Sequence, residues 1–579
     1  MRADVSTLTA VALVLAAAAT IAVGAYGGRL ARTTSDFLVA SRSVGARQNA
    51  AAISGEYLSA ASFLGVAGLI AKYGTDALWY PVGFTAGYLG LLMFVAAPLR
   101  RSGAYTVPDF AEFRLGSTLV RRVAMIVVVA ICTFYLIPQF QGAGLTLNIL
   151  LGLPVWAGAA IVGAIVIVNV VGGGMRSVTF VQAFQYWLKL TAVAIPALSL
   201  GLVFLSDRPA LNETAPPRVS QDTTVSITTD VRLTVVDPTG VIVTGTLDGV
   251  SVVDHRITTA GRYELSEDAT LSLRAGSATP VVAGAPASGE RWLEPGGGFG
   301  ASGNRALYQV LSLILATFLG AMGLPHVLVR FYTNPDGKSA RRTALTVIAL
   351  LALFYLFPIV LGVLARLYVP QLLITGSSDA AVLLLPAAAV GGMWGSMLAA
   401  LVAAGAIAAF LSTSSGLLIS VAGALSTDVL RGRISDFRWV AVIGGAVPVA
   451  LAAATTSLEL SRTVGLAFAV AASTLCPLLV LGIWWRRLTS AGAISGLIVG
   501  GSTSSIAAVL AVSGILDNNS DGWAAVIIGY PAAVTVPLAF ATTVLVSVCT
   551  SSRAPRDVSR IFARMHVPER LGMGLERLP

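Results

Sequence analysis

The run Ser54-Gly55-Glu56-Tyr57-Leu58-Ser59-Ala60-Ala61-Ser62 lies inside an apolar stretch, Gln48 to Ile70, that is long enough to cross a bilayer. A carboxylate at the bilayer centre costs about 2.5–3.5 kcal/mol on insertion scales, so Glu56 and three serines do not suit a lipid-facing helix. Backbone leaves the helix at that depth only where protein or a water-filled cavity covers it. Its freed carbonyls can then ligate a small cation. The same small residues also suit close packing on a neighbouring helix, and both readings stand. A second run, Phe318-Leu-Gly320-Ala-Met-Gly323-Leu-Pro325-His326, pairs glycines with a proline, which predicts a break or kink in mid-membrane. A third, Ala408-Ala409-Phe410-Leu411-Ser412-Thr413-Ser414-Ser415, carries hydroxyls that either bond back to the preceding turn or, beside freed carbonyls, form a hard-oxygen shell for Na⁺. Only Glu56 and Lys189 place full charges deep in apolar runs. Lys189 can balance a carboxylate substrate, pair with Glu56, or snorkel along its helix. Ser59, Ser62, Tyr135, Gln139 and Gln141 would line a pocket whose mix of aromatic and amide groups fits a small carboxylate with a short apolar tail. His326 reads as a packing residue ahead of a proton relay.

These residues need a membrane body to position them. The chain has 579 residues, 56% hydrophobic and only 11% charged, where a soluble protein has about 25% charged residues. It reads as an all-α polytopic membrane protein with no enzyme chemistry, embedded in a lipid bilayer. Apolar runs of roughly 20 residues fall near 6–28, 48–71, 77–98, 119–149, 154–172, 179–205, 304–329, 341–367, 392–427, 437–456, 461–484, 489–514 and 523–549, about thirteen spans in all. The odd-numbered loops are basic, with Arg29, Arg32, Arg42 and Arg47 in the first, Arg100, Arg101, Arg114, Arg121 and Arg122 in the third, and Arg330, Lys338, Arg341 and Arg342 in the seventh. The even-numbered loops carry Asp76, Asp379, Glu459, Asp517 and Asp521. The positive-inside rule therefore predicts an N-terminus outside and a C-terminus in the cytoplasm. Arginine greatly outnumbers lysine and alanine is abundant, which suggests a GC-rich bacterial genome, so the bilayer expected is a bacterial plasma membrane. The first basic cluster follows the first span, the reverse of a signal peptide.

Residues 206–303 break the pattern. From Thr224 to Leu273 apolar and polar residues alternate, interrupted by Asp237-Pro-Thr-Gly and Asp248-Gly249, which predicts antiparallel strands. The expected organisation is a first transmembrane part, 1–205, an extracytoplasmic β-rich insertion, 206–303, a second transmembrane part, 304–550, and a basic cytoplasmic tail, 551–579. The first and second broken segments are five spans apart. Breaks at matching positions of two five-helix halves mark an inverted-repeat transporter with its site at the interface.

Other classes fit poorly. The net charge of +10 is spent on membrane topology, so nucleic acid is not a partner. Cys132, Cys476 and Cys549 lie in apolar runs without metal spacing, and His255, His326 and His566 form no metal pair. A membrane transferase would gather acids or histidines in its loops. The tail is too short for a signalling domain.

Several segments in order resemble the sodium:solute symporter family, and within it the cation/acetate (monocarboxylate) branch. They are Ala40-Ser-Arg42-Ser-Val, Gly55-Glu-Tyr-Leu-Ser-Ala-Ala-Ser-Phe-Leu-Gly65, Tyr105-Thr-Val-Pro-Asp109-Phe, Gly173-Gly-Met-Arg176, Gly323-Leu-Pro-His-Val-Leu-Val-Arg-Phe331 and Ala409-Phe-Leu-Ser-Thr413, closing on Ser426-Thr-Asp428. The resemblance implies the leucine-transporter type of fold, a 5+5 inverted repeat with one helix before and two after. It implies Na⁺-coupled symport of a small monocarboxylate (acetate, propionate or pyruvate), with proline-like amino acids, sugars and proton coupling as alternatives, and no other cofactor. It places Na⁺ on the carbonyls of Gly55, Leu58 and Ala409 and the hydroxyls of Ser412 and Thr413. Many members have an aspartate where this chain has Thr179, so one Na⁺ per substrate is the expectation.

Overall fold

The computed structural model describes residues 7–568 apart from 30–32, 208, 212, 228–229, 302, 376–377, 431–432, 455–459, 514–521, 554 and 556. Arg32, Glu459, Asp517 and Asp521 therefore lie outside the described residues, as do the last eleven positions of the tail. Eleven helical stretches among the described residues are long and apolar enough to cross a membrane. Two are too long for one crossing. Val155–Asp207 has 53 residues, a helical length of about 80 Å, and it breaks at Gly174 (φ 55, ψ −152). Ala61–Ser102 breaks at Gly74 (φ 66). Each is a pair of crossings joined by a glycine in a conformation that side chains avoid, which restores the number of spans read from the sequence.

Both expected helix breaks are present. The second span, the first of the two broken ones, enters as Ala46–Tyr57 and leaves the helical region at Leu58 (φ −73, ψ 80). It resumes through a wide turn at Ala61–Gly65 and continues as Val66–Tyr73. The span five later runs as Asn304–Gly323, extends at Leu324 (φ −72, ψ 116) and restarts as Pro325–Phe331. Proline at the first helical position suits a restart, since its missing N–H would be unpaired there anyway. Gly320 and Gly323 sit where a Cβ would press on the carbonyl oxygens of Phe468 and Ala471, in the helix Leu460–Ser473. The long helix Gly392–Asp428 packs on the Val155–Asp207 pair, on Thr118–Leu151 and on the first broken helix. It is buried from Val402 to Ala424 on every face, as expected of a helix enclosed by other helices.

The insertion folds as seven antiparallel strands: β1 (Thr223–Ser226), β2 (Val231–Val235), β3 (Val241–Leu247), β4 (Val250–Arg256), β5 (Gly261–Leu265), β6 (Thr270–Leu273) and β7 (Val281–Val282). The order is β1-β6-β3-β5-β2-β7, with β4 paired to β3. Asp248 (φ 48) and Gly249 (φ 79) make the tight turn between β3 and β4, the mirror-image turn that matches strand twist. The alternation in β2 buries Val231, Leu233 and Val235, and the small core they enter also takes in Ile374 from a membrane loop.

The insertion is bolted down at its exit. Trp292 donates its indole N–H to Ile70 O at 2.7 Å. Arg366 lies over the Trp292 ring and donates to Pro286 O and Ala287 O, each at 3.0 Å. Asp76 accepts from the backbone of Gly296 and Gly298.

Candidate functional site

The first break exposes backbone. Ser59 N, which a continuous helix would aim at Gly55 O, turns to Tyr57 O at 2.8 Å. Gly55 is where the helices touch, since a Cβ there would overlap the carbonyl oxygen of Gln182. That close approach brings Lys189 alongside. Its ammonium donates to Gly55 O, to Leu58 O at 2.6 Å and to Ser412 Oγ at 2.9 Å, and the side chain is completely buried. Three N–H donors meet three oxygens.

The residues matched to a sodium shell thus come together around an ammonium. Ala409 O accepts from the Ser412 hydroxyl at 3.1 Å, and the Thr413 hydroxyl donates to Glu56 O at 2.6 Å. Gln182 donates to Ser412 O at 2.8 Å and fixes that turn of the long helix. Sodium would need the place that Lys189 Nζ holds, so the cage as built does not fit the free ion. Lys189 leaves the expected substrate set, because its donors are spent on the cage and none is left for a carboxylate.

Nor does Lys189 pair with Glu56. Glu56 Oε2 accepts from Arg330 Nε at 2.6 Å, with both side chains 1% exposed. Arg330 also donates to Thr179 Oγ1 at 2.8 Å and to Gln182 Oε1. Counting loop charge places Arg330 in a cytoplasmic loop, but it lies in the restarted helix after the second break and reaches back to the first. Gly416 makes room for the pair, since any side chain there would strike the Glu56 carboxylate. Thr179 is an acceptor for this arginine.

Beside the cage is an aromatic-lined region. Tyr57 meets Tyr88 edge-on at 4.8 Å and Phe468 at 6.1 Å, and Tyr135 meets Phe468 at 6.0 Å and His326 at 5.5 Å. Ser62 exchanges a 2.8 Å hydrogen bond with Tyr355. Gln139 accepts weakly from Ala60 N at 3.5 Å. Ser59 Oγ and Gln139 Nε2 are buried without a hydrogen-bond partner among the described residues, a costly state unless something else supplies one. Of the pocket residues read from sequence, Ser59, Ser62 and Gln139 border the break and Tyr135 joins the aromatic wall. Tyr57, Tyr355, Phe468 and Arg330 were missed. Tyr57 directly precedes the break, whereas Tyr355, Phe468 and Arg330 share no local pattern with it, and only the tertiary fold brings them there. A small cleft lined by Tyr105–Pro108, Val128, Pro325, Val329, residues between Ile419 and Ala424, and Phe437 reaches the second break.

The comparisons with known proteins match this architecture. The model of the sodium:solute symporter family covers residues 37–224 and 293–500, leaving out most of the insertion. A protein of Bacillus subtilis named Uncharacterized symporter YwcA is 30% identical over 573 residues, covering 96% of this chain and 97% of its own length. A Monocarboxylic acid transporter of Corynebacterium glutamicum is 31% identical, covering 95% and 92%. Among solved structures, a Na⁺-coupled sialic acid symporter in its substrate-bound outward-open state shares the fold with a TM-score of 0.61 at 16% identity, over 94% of this chain and 98% of that one. Mhp1, a nucleobase-cation-symport-1 family transporter, does so at 0.50 and 13%, over 91% and 98%. With two inverted five-helix repeats, two broken helices and a family match over most of its length, this chain belongs to the sodium:solute symporter family.

Proposed function

We propose that this chain carries a small monocarboxylate into a bacterial cell by alternating access, in symport with a cation. The observation that carries the reading is the charge around the first break. With Glu56 ionised against Arg330, and Lys189 protonated as its three acceptors require, the buried groups are one negative and two positive. Their sum is +1, and a buried uncompensated charge is expensive in a low-dielectric interior. A monoanion neutralises it, whereas a sugar does not and a zwitterion adds no net charge. The unpartnered Ser59 hydroxyl and Gln139 amide offer a carboxylate two neutral donors, and the surrounding rings suit a short apolar tail. The relative from Corynebacterium is named for monocarboxylic acids, which supports the same class. Sodium is the coupling ion that the family name supports, and the proton is the other reading.

The N-terminus is taken to lie outside and the C-terminus in the cytoplasm, with the insertion on the outer side. Uptake of labelled acetate, propionate, pyruvate, proline and glucose into vesicles holding the purified protein tests the substrate class. The monocarboxylates are expected to accumulate and to compete with one another. Accumulation of proline or glucose, with no competition from acetate, would overturn the reading. Reporters fused after residues 250 and 565 test orientation, with activity expected outside for the first and inside for the second.

A further inference from the structure

We infer that Lys189 is this chain's own cation, tethered in the cage at the first helix break, and that sodium does not bind there. The inference rests on reading that break as the cation site of the symporter, and it names the occupant. The ammonium meets Gly55 O, Leu58 O and Ser412 Oγ, three of the five oxygens that the resemblance assigns to sodium. The other two are spent as well. Ala409 O accepts the Ser412 hydroxyl, and the Thr413 hydroxyl is turned to Glu56 O. An ammonium and a sodium ion carry the same charge and ask for the same oxygens, so one excludes the other by volume and by repulsion.

The lysine is suited to stay. Its stem descends from a helix that Gly55 allows into backbone contact, its three donors are all used, and it is completely buried. The charged groups near it agree. Glu56 is turned to Arg330, so a second free cation beside Lys189 would meet two positive charges and a carboxylate already paired. A monoanionic substrate completes neutrality with the lysine alone.

A tethered cation cannot be released inside with the solute. Uptake then has no sodium requirement at this cage: the solute binds as the monoanion RCOO⁻, balanced by the lysine charge, and the coupling ion is a proton carried separately from the carboxylate. The general feature is a lysine positioned where a coupling metal ion would sit. It converts a sodium site into a fixed charge by one residue.

The test uses the full-length protein, purified and reconstituted. Binding of ²²Na⁺ and the thermal midpoint are measured in sodium chloride and in choline chloride for the wild type, Lys189→Ala and Ser412→Ala. The wild type is expected to show no saturable sodium binding and no sodium-dependent shift. Lys189→Ala, which frees the oxygens, is expected to gain both. Labelled acetate uptake by the wild type is expected to be the same within about twofold in either salt and to follow an imposed inward proton gradient. Saturable sodium binding by the wild type that Ser412→Ala abolishes would overturn the inference, as would a tenfold or greater loss of uptake in choline. If no acid in the panel is transported in any medium, the monocarboxylate reading fails, and the sodium-binding measurement still decides the occupant of the cage.

Discussion

The two broken helices are related by the inverted repeat, yet they do different work. The break at Leu58 turns backbone oxygens toward a buried charge and is surrounded by side chains that donate or accept: Lys189, Ser412, Thr413, Gln139. The break at Leu324 is a packing device. Its glycines let the helix lie on the backbone of Leu460–Ser473, and neither His326 ring nitrogen has a partner among the described residues. Its one polar contribution is Arg330, a turn or more beyond, which crosses to Glu56 beside the first break. A helix interruption is therefore not in itself a binding site. The chemistry depends on what the neighbouring helices present to the freed backbone. The second half of the repeat serves the first by supplying a counter-charge and a tight interface.

The crossing contact should give the largest effect. Glu56→Gln or Arg330→Met alone leaves one buried charge unpaired, and breaking such a pair costs about 3–5 kcal/mol. Each single variant is expected to lose most of its thermal stability margin and most uptake. The double variant, Glu56→Gln with Arg330→Met, should recover much of the stability, since removing both charges can be nearly neutral. A double-mutant cycle on the thermal midpoint measures this. Additive losses would show that the two breaks are not coupled through this pair.

Next in size are the glycines. Gly55→Ala and Gly323→Ala both force a methyl group against a backbone oxygen, of Gln182 in one case and Ala471 in the other. Overpacking of this kind costs about 1–3 kcal/mol. Comparable drops in thermal stability are expected from the two. Uptake should fall further for Gly55→Ala, because the displaced helix carries Lys189 and the cage with it. Equal uptake by both variants, at matched amounts of folded protein, would remove the functional distinction between the breaks.

Both breaks are legible in the sequence, because serine, glycine and proline at membrane depth weaken a helix by local physics that needs no partner. The strands of the insertion are legible for the same reason: the alternation in Val231–Val235 and the turn at Asp248-Gly249 are local. What escapes is who meets whom. Lys189 stands out as a deep charge, but its acceptors lie on helices more than a hundred residues away in either direction. Arg330 is misplaced because counting charge treats an arginine near a span end as loop, while a broken helix carries that residue inward. The seating of Trp292 under Arg366 is invisible for the same reason. The contacts that fasten the exit segment of the insertion to Ile70 and Asp76 are equally unreadable from local pattern.

The smallest expected effects separate recognition from packing. Ser59→Ala deletes a buried hydroxyl that makes no close hydrogen bond and interacts only with the Tyr135 side chain, so the thermal midpoint should change little. If that hydroxyl donates to a substrate carboxylate, its loss forfeits about 0.5–1.5 kcal/mol of binding, a rise of roughly two- to tenfold in the half-saturation concentration for acetate. His326→Leu at the second break also removes unpartnered nitrogens while keeping an apolar body against Tyr135. It should leave both the midpoint and the half-saturation concentration unchanged within about twofold. Measured side by side, the two variants test whether only the first break faces the solute. A His326→Leu protein whose half-saturation shifts as far as that of Ser59→Ala would place the second break in the substrate site too, since loss of packing alone would lower stability without singling out the solute.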